Sequence, residues 1–495
     1  MRKILVISAF ALLFLSACAT QQTSTAPVRP SRMPTFESTA ERNQGRQSRQ
    51  QSTTEVIATR EANEIRQSRT ADTVIAILPT HRQARPRPQQ PREQTRPQIS
   101  VERTLAIPQI NQDYQDPNLR IMLHRNIKSH RIRIHGHADI SSKNTSVRVS
   151  DGELEISFIN ENTIQISAHG RRQQIALPCT LSFVSGKMRF SDGANEYRGQ
   201  IIFTSGQNGF SLINYIGLED YLRGVLPLEI GVRGEPEFEA LKAQAIAART
   251  FALSRMLASR NREFDMVATV MDQVYGGSGN EYALSDLAIA KTRGIVVAKQ
   301  ENGALLETFF HAICGGQTAA VNEVWNSQPN PSLVSRSDLD ENGVAFCATA
   351  NWFNWTETWS IAQFSQILHK YSRSTIGEAP FDGTVRAVNI ASRTPSGRVN
   401  VLEIRSNSGT FTYGRDRSRF VLRRPTRDEG ILRSANFEIR IDGGQVRATG
   451  RGFGHGIGMC QNGALERARR GQDFTQILSA YYTNIKLAQV NDFLD

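Results

Sequence analysis

Between residues 450 and 458 every second residue is glycine: Gly450, Gly452, Gly454, Gly456 and Gly458. A run that lacks a Cβ at alternate positions lets backbone pass close to another strand or to a ligand. It also leaves its few side chains well displayed, and these are His455, Met459 and Gln461. A helical stretch follows from Ala464 to Arg470, closed by Gly471, and a second runs from Asp473 to Tyr482.

A further helix is marked upstream. Pro236 stands where a first helical position belongs, with Glu235, Glu237 and Glu239 to meet the helix dipole. Apolar residues at 238, 241, 245, 248 and 252 recur at intervals of three and four. That spacing predicts one buried face of a helix reaching about Arg260. Ala243, Ala245, Ala247 and Ala248 are small enough for close packing on a neighbour. Lys242, Gln244 and Arg249 fall off the stripe, where solvent or ligand is expected. Just before this helix, Glu229 is framed by Val225, Leu226, Pro227, Leu228 and Ile230. Apolar surroundings raise a carboxyl pKa. The same residue also reads as an ion-paired glutamate at a strand end, with Arg223 as partner.

From about Leu119 to Tyr215 apolar and polar residues alternate, as in Ile132-Arg-Ile134, Leu154-Glu-Ile156 and Met188-Arg-Phe190. Asp151-Gly152, Asp192-Gly193 and Asn208-Gly209 punctuate the run. Short antiparallel strands in a small sandwich or open barrel are expected. The fold class is therefore α+β: a β-rich front lobe at 106–215 and a mixed helix and strand lobe at 216–492. No catalytic constellation stands in the front lobe. His124, His130, His135 and His137 are expected on strand and turn surfaces rather than in a metal site.

The chain opens with Met1-Arg-Lys, an apolar run from Ile4 to Leu15, and Leu15-Ser-Ala-Cys18. This reads as a secretory signal at 1–18, since a membrane span takes about 20 apolar residues. Leu-Ser-Ala-Cys resembles the bacterial lipobox, which makes Cys18 a lipidated first residue and implies a periplasmic protein anchored to the outer membrane. Residues 19–105 are rich in Gln, Thr, Ser, Pro and Arg and contain no lysine. Such a segment buries too little apolar surface to offset its chain entropy, so a disordered basic tether is expected. The net charge of +12 does not imply nucleic-acid binding in an exported chain without a reading motif.

Several stretches together resemble the SpoIID/LytB family of cell-wall proteins. They are Leu218-Glu-Asp-Tyr-Leu-Arg-Gly-Val-Leu-Pro-Leu-Glu229, Glu239-Ala-Leu-Lys-Ala-Gln-Ala-Ile-Ala-Ala-Arg-Thr250, Met271-Asp-Gln-Val-Tyr-Gly-Gly277, His311-Ala-Ile-Cys-Gly-Gly316, and Gly454-His-Gly-Ile-Gly-Met-Cys-Gln461 with Tyr481-Tyr482. The resemblance spans roughly residues 118 to 490. It implies a lytic transglycosylase that cleaves peptidoglycan glycan strands stripped of peptide, with Glu229 as acid and base and no required cofactor. Gln244, Arg249, His455 and Gln461 are then candidates for substrate binding, Arg249 through the lactyl carboxylate. LytB-type members are amidase enhancers, so a non-catalytic peptidoglycan-binding activator of an amidase is the alternative. A purely structural envelope lipoprotein is a third reading. Some members carry zinc on a His and Cys cluster, which points here to His311, Cys314 and Cys347. The family's histidine after the last of these is Trp352 in this chain, and that set is one ligand short of four. A Cys314–Cys347 disulfide, at home outside the cytoplasm, is the preferred expectation. Cys179 and Cys460 complete the cysteines of the folded part.

Overall fold

The computed structural model describes residues 104–494 except 110–112, 144, 191–194 and 376–377. The expected signal segment with Cys18, and the expected tether as far as Arg103, lie outside the described residues. Among the described residues no helix is long and apolar enough to cross a membrane.

The alternating front half pairs into a sheet of eleven strands. Its path runs Met266–Val267, Asn118–Ile127, Gly209–Gly217, Gln200–Gly206, Cys179–Phe190, Ser129–Ser141, Gly152–Asn160, Thr163–Ala168 and Arg171–Ala176. Ser146–Val149 adds beside Ser129–Ser141, and Glu196–Tyr197 beside Cys179–Phe190. The pairing is antiparallel apart from Asn118–Ile127 with Met266–Val267. In Ser129–Ser141, Ile132, Ile134 and Ile140 are buried while Arg131 and Arg133 are exposed. A one-residue slip would exchange the two sets, so the buried face fixes the register.

The strand Gly209–Gly217 runs without a loop into helix α1 (Leu218–Glu229). Sheet residues such as Ile121, Phe203 and Leu212 share one core with Tyr221, Leu222 and Val225 of α1. The expected boundary at 215/216 is therefore not a boundary between cores. The stretch before Glu229 is also helical rather than a strand end, with Pro227 inside it.

Helix α2 (Phe238–Ala258) forms where the periodicity predicts it, but its burial is not one-sided. Every residue from Ala243 to Leu253 is buried. Its alanines make a smooth cylinder that α1, α3 (Ala283–Lys291), the strand Ile295–Lys299 and two later helices all contact. Beyond the short α4 (Val321–Val324) the chain stays with this core through Leu333, Ala345 and Cys347, and then leaves it. Residues from Trp355 to Ala448 build a second one. Two three-stranded antiparallel sheets, Asn354–Ser360/Gln445–Arg451/Phe437–Asp442 and Val385–Arg393/Val399–Ser406/Thr410–Gly414, pack with α5 (Ile361–Ser372) and α6 (Arg417–Val421) around Trp359, Phe364 and Tyr413. The chain then returns through the glycine run to the first core. There α7 (Gln461–Arg469) and α8 (Phe474–Tyr481) contact α2, and Ile485–Gln489 pairs with Ile295–Lys299.

Candidate functional site

Glu229 ends α1, and the chain turns away at Ile230. The residue is half-buried. Val274 donates its backbone N–H to Glu229 Oε1 at 2.7 Å. Burial pushes the carboxyl up to about 7 from 4.5, against the opposing pull of that N–H. The segment carrying Val274 is pinned to the helices. Tyr221 donates its hydroxyl to Gln273 Oε1 at 3.1 Å, Gln273 Nε2 donates to the carbonyl of Ala248, and Gly276 N–H donates to the carbonyl of Gly224. At the outer end of this segment Val270 and Met271 are 76% and 69% exposed. Arg223 pairs with Asp220, Glu281 and Asp286. Among the described residues Glu229 makes no ion pair, which removes the expected salt-bridge reading.

Glu219 and Arg249 answer to each other. Arg249 Nε and Nη2 donate to the two oxygens of Glu219 at 2.8 and 2.7 Å. Tyr114 hydroxyl and Gly294 N–H donate to the same carboxylate, at 2.9 and 3.1 Å. Arg249 also donates to the carbonyls of Ile289 and Ile295 and is fully buried. The expectation that Arg249 meets a ligand's carboxylate is corrected: the burial of α2 on all sides turns its guanidinium onto Glu219.

Gln244 is likewise fully buried, not ligand-facing, and accepts from Gln461 Nε2 at 3.5 Å. His455 is half-buried, its ring 5.4 Å from Trp325 and 5.6 Å from His311. Ile457 N–H donates to His455 Nδ1 at 3.0 Å, and burial pushes this imidazole down to about 4, so it is neutral near pH 7. No hydrogen bond or ion pair among the described residues joins Glu229 to Gln244, Arg249, His455 or Gln461.

The glycine run itself threads between other segments. Gly452, Gly454, Gly456 and Gly458 all have positive φ. Phe453 exchanges backbone bonds with Ile313, and Met459–Cys460 pairs in parallel with Phe310–His311. At Gly458, with φ +68°, a Cβ would lie 2.1 Å from the carbonyl oxygen of Phe309. Gly458→Ala is expected to destabilise the protein by about 2–5 kcal/mol. Urea unfolding checks this, and an unchanged midpoint would contradict the close approach.

The expected metal and disulfide residues separate. Cys314 and Cys347 sulfurs are 3.5 Å apart, and all four cysteines of the folded part are free thiols, so the expected disulfide is not formed. His311 does not join them, and its Nδ1 lies 3.1 Å from the carbonyl oxygen of Ile457. Instead Cys460 and Asp338 join Cys314 and Cys347. No local pattern marks Asp338, because its partners meet it only through the fold. His124 and His130 stack at 4.5 Å, but the front-lobe histidines form no metal-ligating group among the described residues.

The family profile "Stage II sporulation protein" matches residues 206–298. A second profile, "Domain of unknown function (DUF8618)", matches residues 343–458, the stretch that contains the second core. The chain is similar to the Stage II sporulation protein D of Bacillus amyloliquefaciens, 32% identical over 57% of this chain and 77% of that protein. It is similar to the Stage II sporulation protein D of Bacillus subtilis at 30%, over 57% and 78%. It is also similar to the amidase enhancer of Bacillus subtilis at 27%, over 54% of this chain and 40% of that protein.

Proposed function

Because the chain belongs to the SpoIID/LytB family, we propose that it acts on peptidoglycan as a lytic transglycosylase, with Glu229 as its single acid and base. The observation that carries this reading is the Glu229 carboxyl, lifted by burial to about 7. At that value one group is protonated often enough to act as an acid and ionised often enough to act as a base.

The chemistry needs no second carboxylate. Glu229 gives its proton to the oxygen linking the muramic acid anomeric carbon to the next N-acetylglucosamine, and that C–O bond breaks. The glucosamine leaves with a restored 4-hydroxyl. The muramic acid's own C6 hydroxyl then bonds to the anomeric carbon and loses its proton to Glu229, which ends as it began. A 1,6-anhydro ring forms without water, and the intramolecular attack supplies the effective concentration that an external nucleophile lacks. Val274 N–H occupies Oε1, so Oε2 is the oxygen free to carry the proton.

Glycan strands stripped of peptide are the proposed substrate. Purified protein should release soluble fragments from denuded glycan and little from peptide-bearing sacculi. The second reading, activation of an amidase, is favoured by the similarity to an amidase enhancer. It is supported instead if denuded glycan is bound but not cut and an added amidase works faster.

The same reading has the protein in the periplasm, held at the outer membrane by lipid on Cys18. Cys18→Ser should lose incorporation of a fatty-acid probe. Label retained by that variant would put the anchor elsewhere.

A further inference from the structure

Three thiols and one carboxylate from separate segments converge behind the glycine run. Cys314 follows the strand Phe310–His311, and Asp338 and Cys347 lie in the loops beyond α4. Cys460 caps the N-terminus of α7. One ligand atom from each lies within 4.8 Å of all the others, and all four residues are buried. We propose that Cys314, Cys347, Cys460 and Asp338 hold a single tetrahedral divalent metal ion of the zinc type. This inference stands apart from the glycan chemistry at Glu229.

The spacing suits one ion. Zinc–sulfur bonds of about 2.3 Å at tetrahedral angles put neighbouring sulfurs roughly 3.8 Å apart. Cys314 and Cys347 sulfurs stand 3.5 Å apart, and Asp338 Oδ2 lies 3.2 Å from Cys314 Sγ. A Cys314–Cys347 disulfide would use two of these sulfurs and leave Cys460 and Asp338 with no reason to face them. His311 is not a member, since neither of its ring nitrogens falls within the cluster formed by these four ligand atoms.

Backbone N–H groups are directed at two of the sulfurs. Gly316 N–H donates to Cys314 Sγ at 3.3 Å, and Cys314 and Gly463 N–H donate to Cys460 Sγ at 3.2 and 3.3 Å. The last of these comes from the first turn of α7, whose dipole favours negative charge on its cap. Asp338 is oriented from behind. Arg467 Nη2 and Tyr481 hydroxyl both donate to its Oδ1 at 3.0 Å, which leaves Oδ2 for the quartet. Such outer partners fix ligand direction. With a divalent ion, three thiolates and a carboxylate would leave two negative charges. Arg467 supplies one positive charge, and the buried Arg398, donating to the carbonyls of Cys314 and Gln317, supplies another. Four protein ligands close the coordination sphere, so the ion would be structural: it would clamp the 314–316 turn, the 338–347 loop and the start of α7 together.

The test uses the full chain purified without reductant. About one zinc per chain is expected by elemental analysis. Cys314, Cys347 and Cys460 should react with a thiol reagent only after a strong chelator is added. Cobalt exchanged into the protein should give strong thiolate charge-transfer absorption and tetrahedral ligand-field bands. Cys460→Ser and Asp338→Asn should weaken metal retention against a chelator at least tenfold, while His311→Gln and Cys179→Ser keep it. A Cys314–Cys347 disulfide in the isolated protein would overturn the proposal. So would a cobalt protein without thiolate absorption, or metal retention that depends on His311 and not on Cys460. If the ligand variants fail to fold, the wild-type cobalt spectrum decides alone.

Discussion

Glu229→Gln lowers glycan cleavage by about 10²–10⁴-fold, the weight of one positioned acid/base, and leaves the fold in place. The amide keeps the size of the side chain, and its oxygen still accepts from Val274 N–H, but no transferable proton remains. In the wild type, cleavage should decline as pH rises through about 7, because the acid form is lost there. The same shift has a stability consequence of definite sign. The folded carboxyl binds its proton more tightly than the unfolded one, at about 7 against 4.5. That contribution is fully present below 4.5 and is lost as pH rises through 7. Above 7 the wild type holds a carboxylate in surroundings that disfavour it, and glutamine avoids this cost. The variant should therefore be the more stable protein at pH 8, by about 1–3 kcal/mol after allowance for partial exposure. The two should converge near pH 4. Thermal melts at the two pH values, paired with cleavage assays, check both halves. Undiminished cleavage would remove Glu229 from the chemistry, and a variant less stable at pH 8 would show that the carboxylate is a structural partner.

Arg249→Met destabilises the protein by about 3–5 kcal/mol, because it strands the Glu219 carboxylate inside the fold without its cation. Methionine fills most of the volume, so the loss is electrostatic rather than a cavity effect. The double variant Arg249→Met/Glu219→Gln should recover a large part of it, since neither charge is then unpaired. Urea unfolding of the two single variants and the double variant measures the coupling. A stable Arg249→Met protein with weakened glycan binding would restore the role the sequence suggested.

Period-two alternation around Ile132 and Ile134 was enough to predict the antiparallel front sheet, because one face of those strands is dry and the other wet. The apolar frame around Glu229 was likewise visible in five neighbouring residues. The rest was hidden for physical reasons. Leucine and alanine spacing along α2 fits a one-sided helix, yet residues as small as Ala243 and Ala247 let neighbours close on every side, and that buried Gln244 and Arg249. Gly224 and Pro227 disguised α1 as extended chain. The second core from Trp355 to Ala448 uses the same alternation as the front sheet and enters without a linker, so nothing in composition separates it. Cys460 and Asp338 lie 146 and 24 residues from Cys314, and only the fold brings them to one point.

The most direct test of the glycan chemistry is mass analysis of the soluble products released from denuded peptidoglycan by the purified protein. The account predicts fragments ending in 1,6-anhydro-muramic acid, each lacking one water relative to a reducing end, with none formed by Glu229→Gln. Fragments with ordinary reducing ends, or glycan bound without any release, would contradict it.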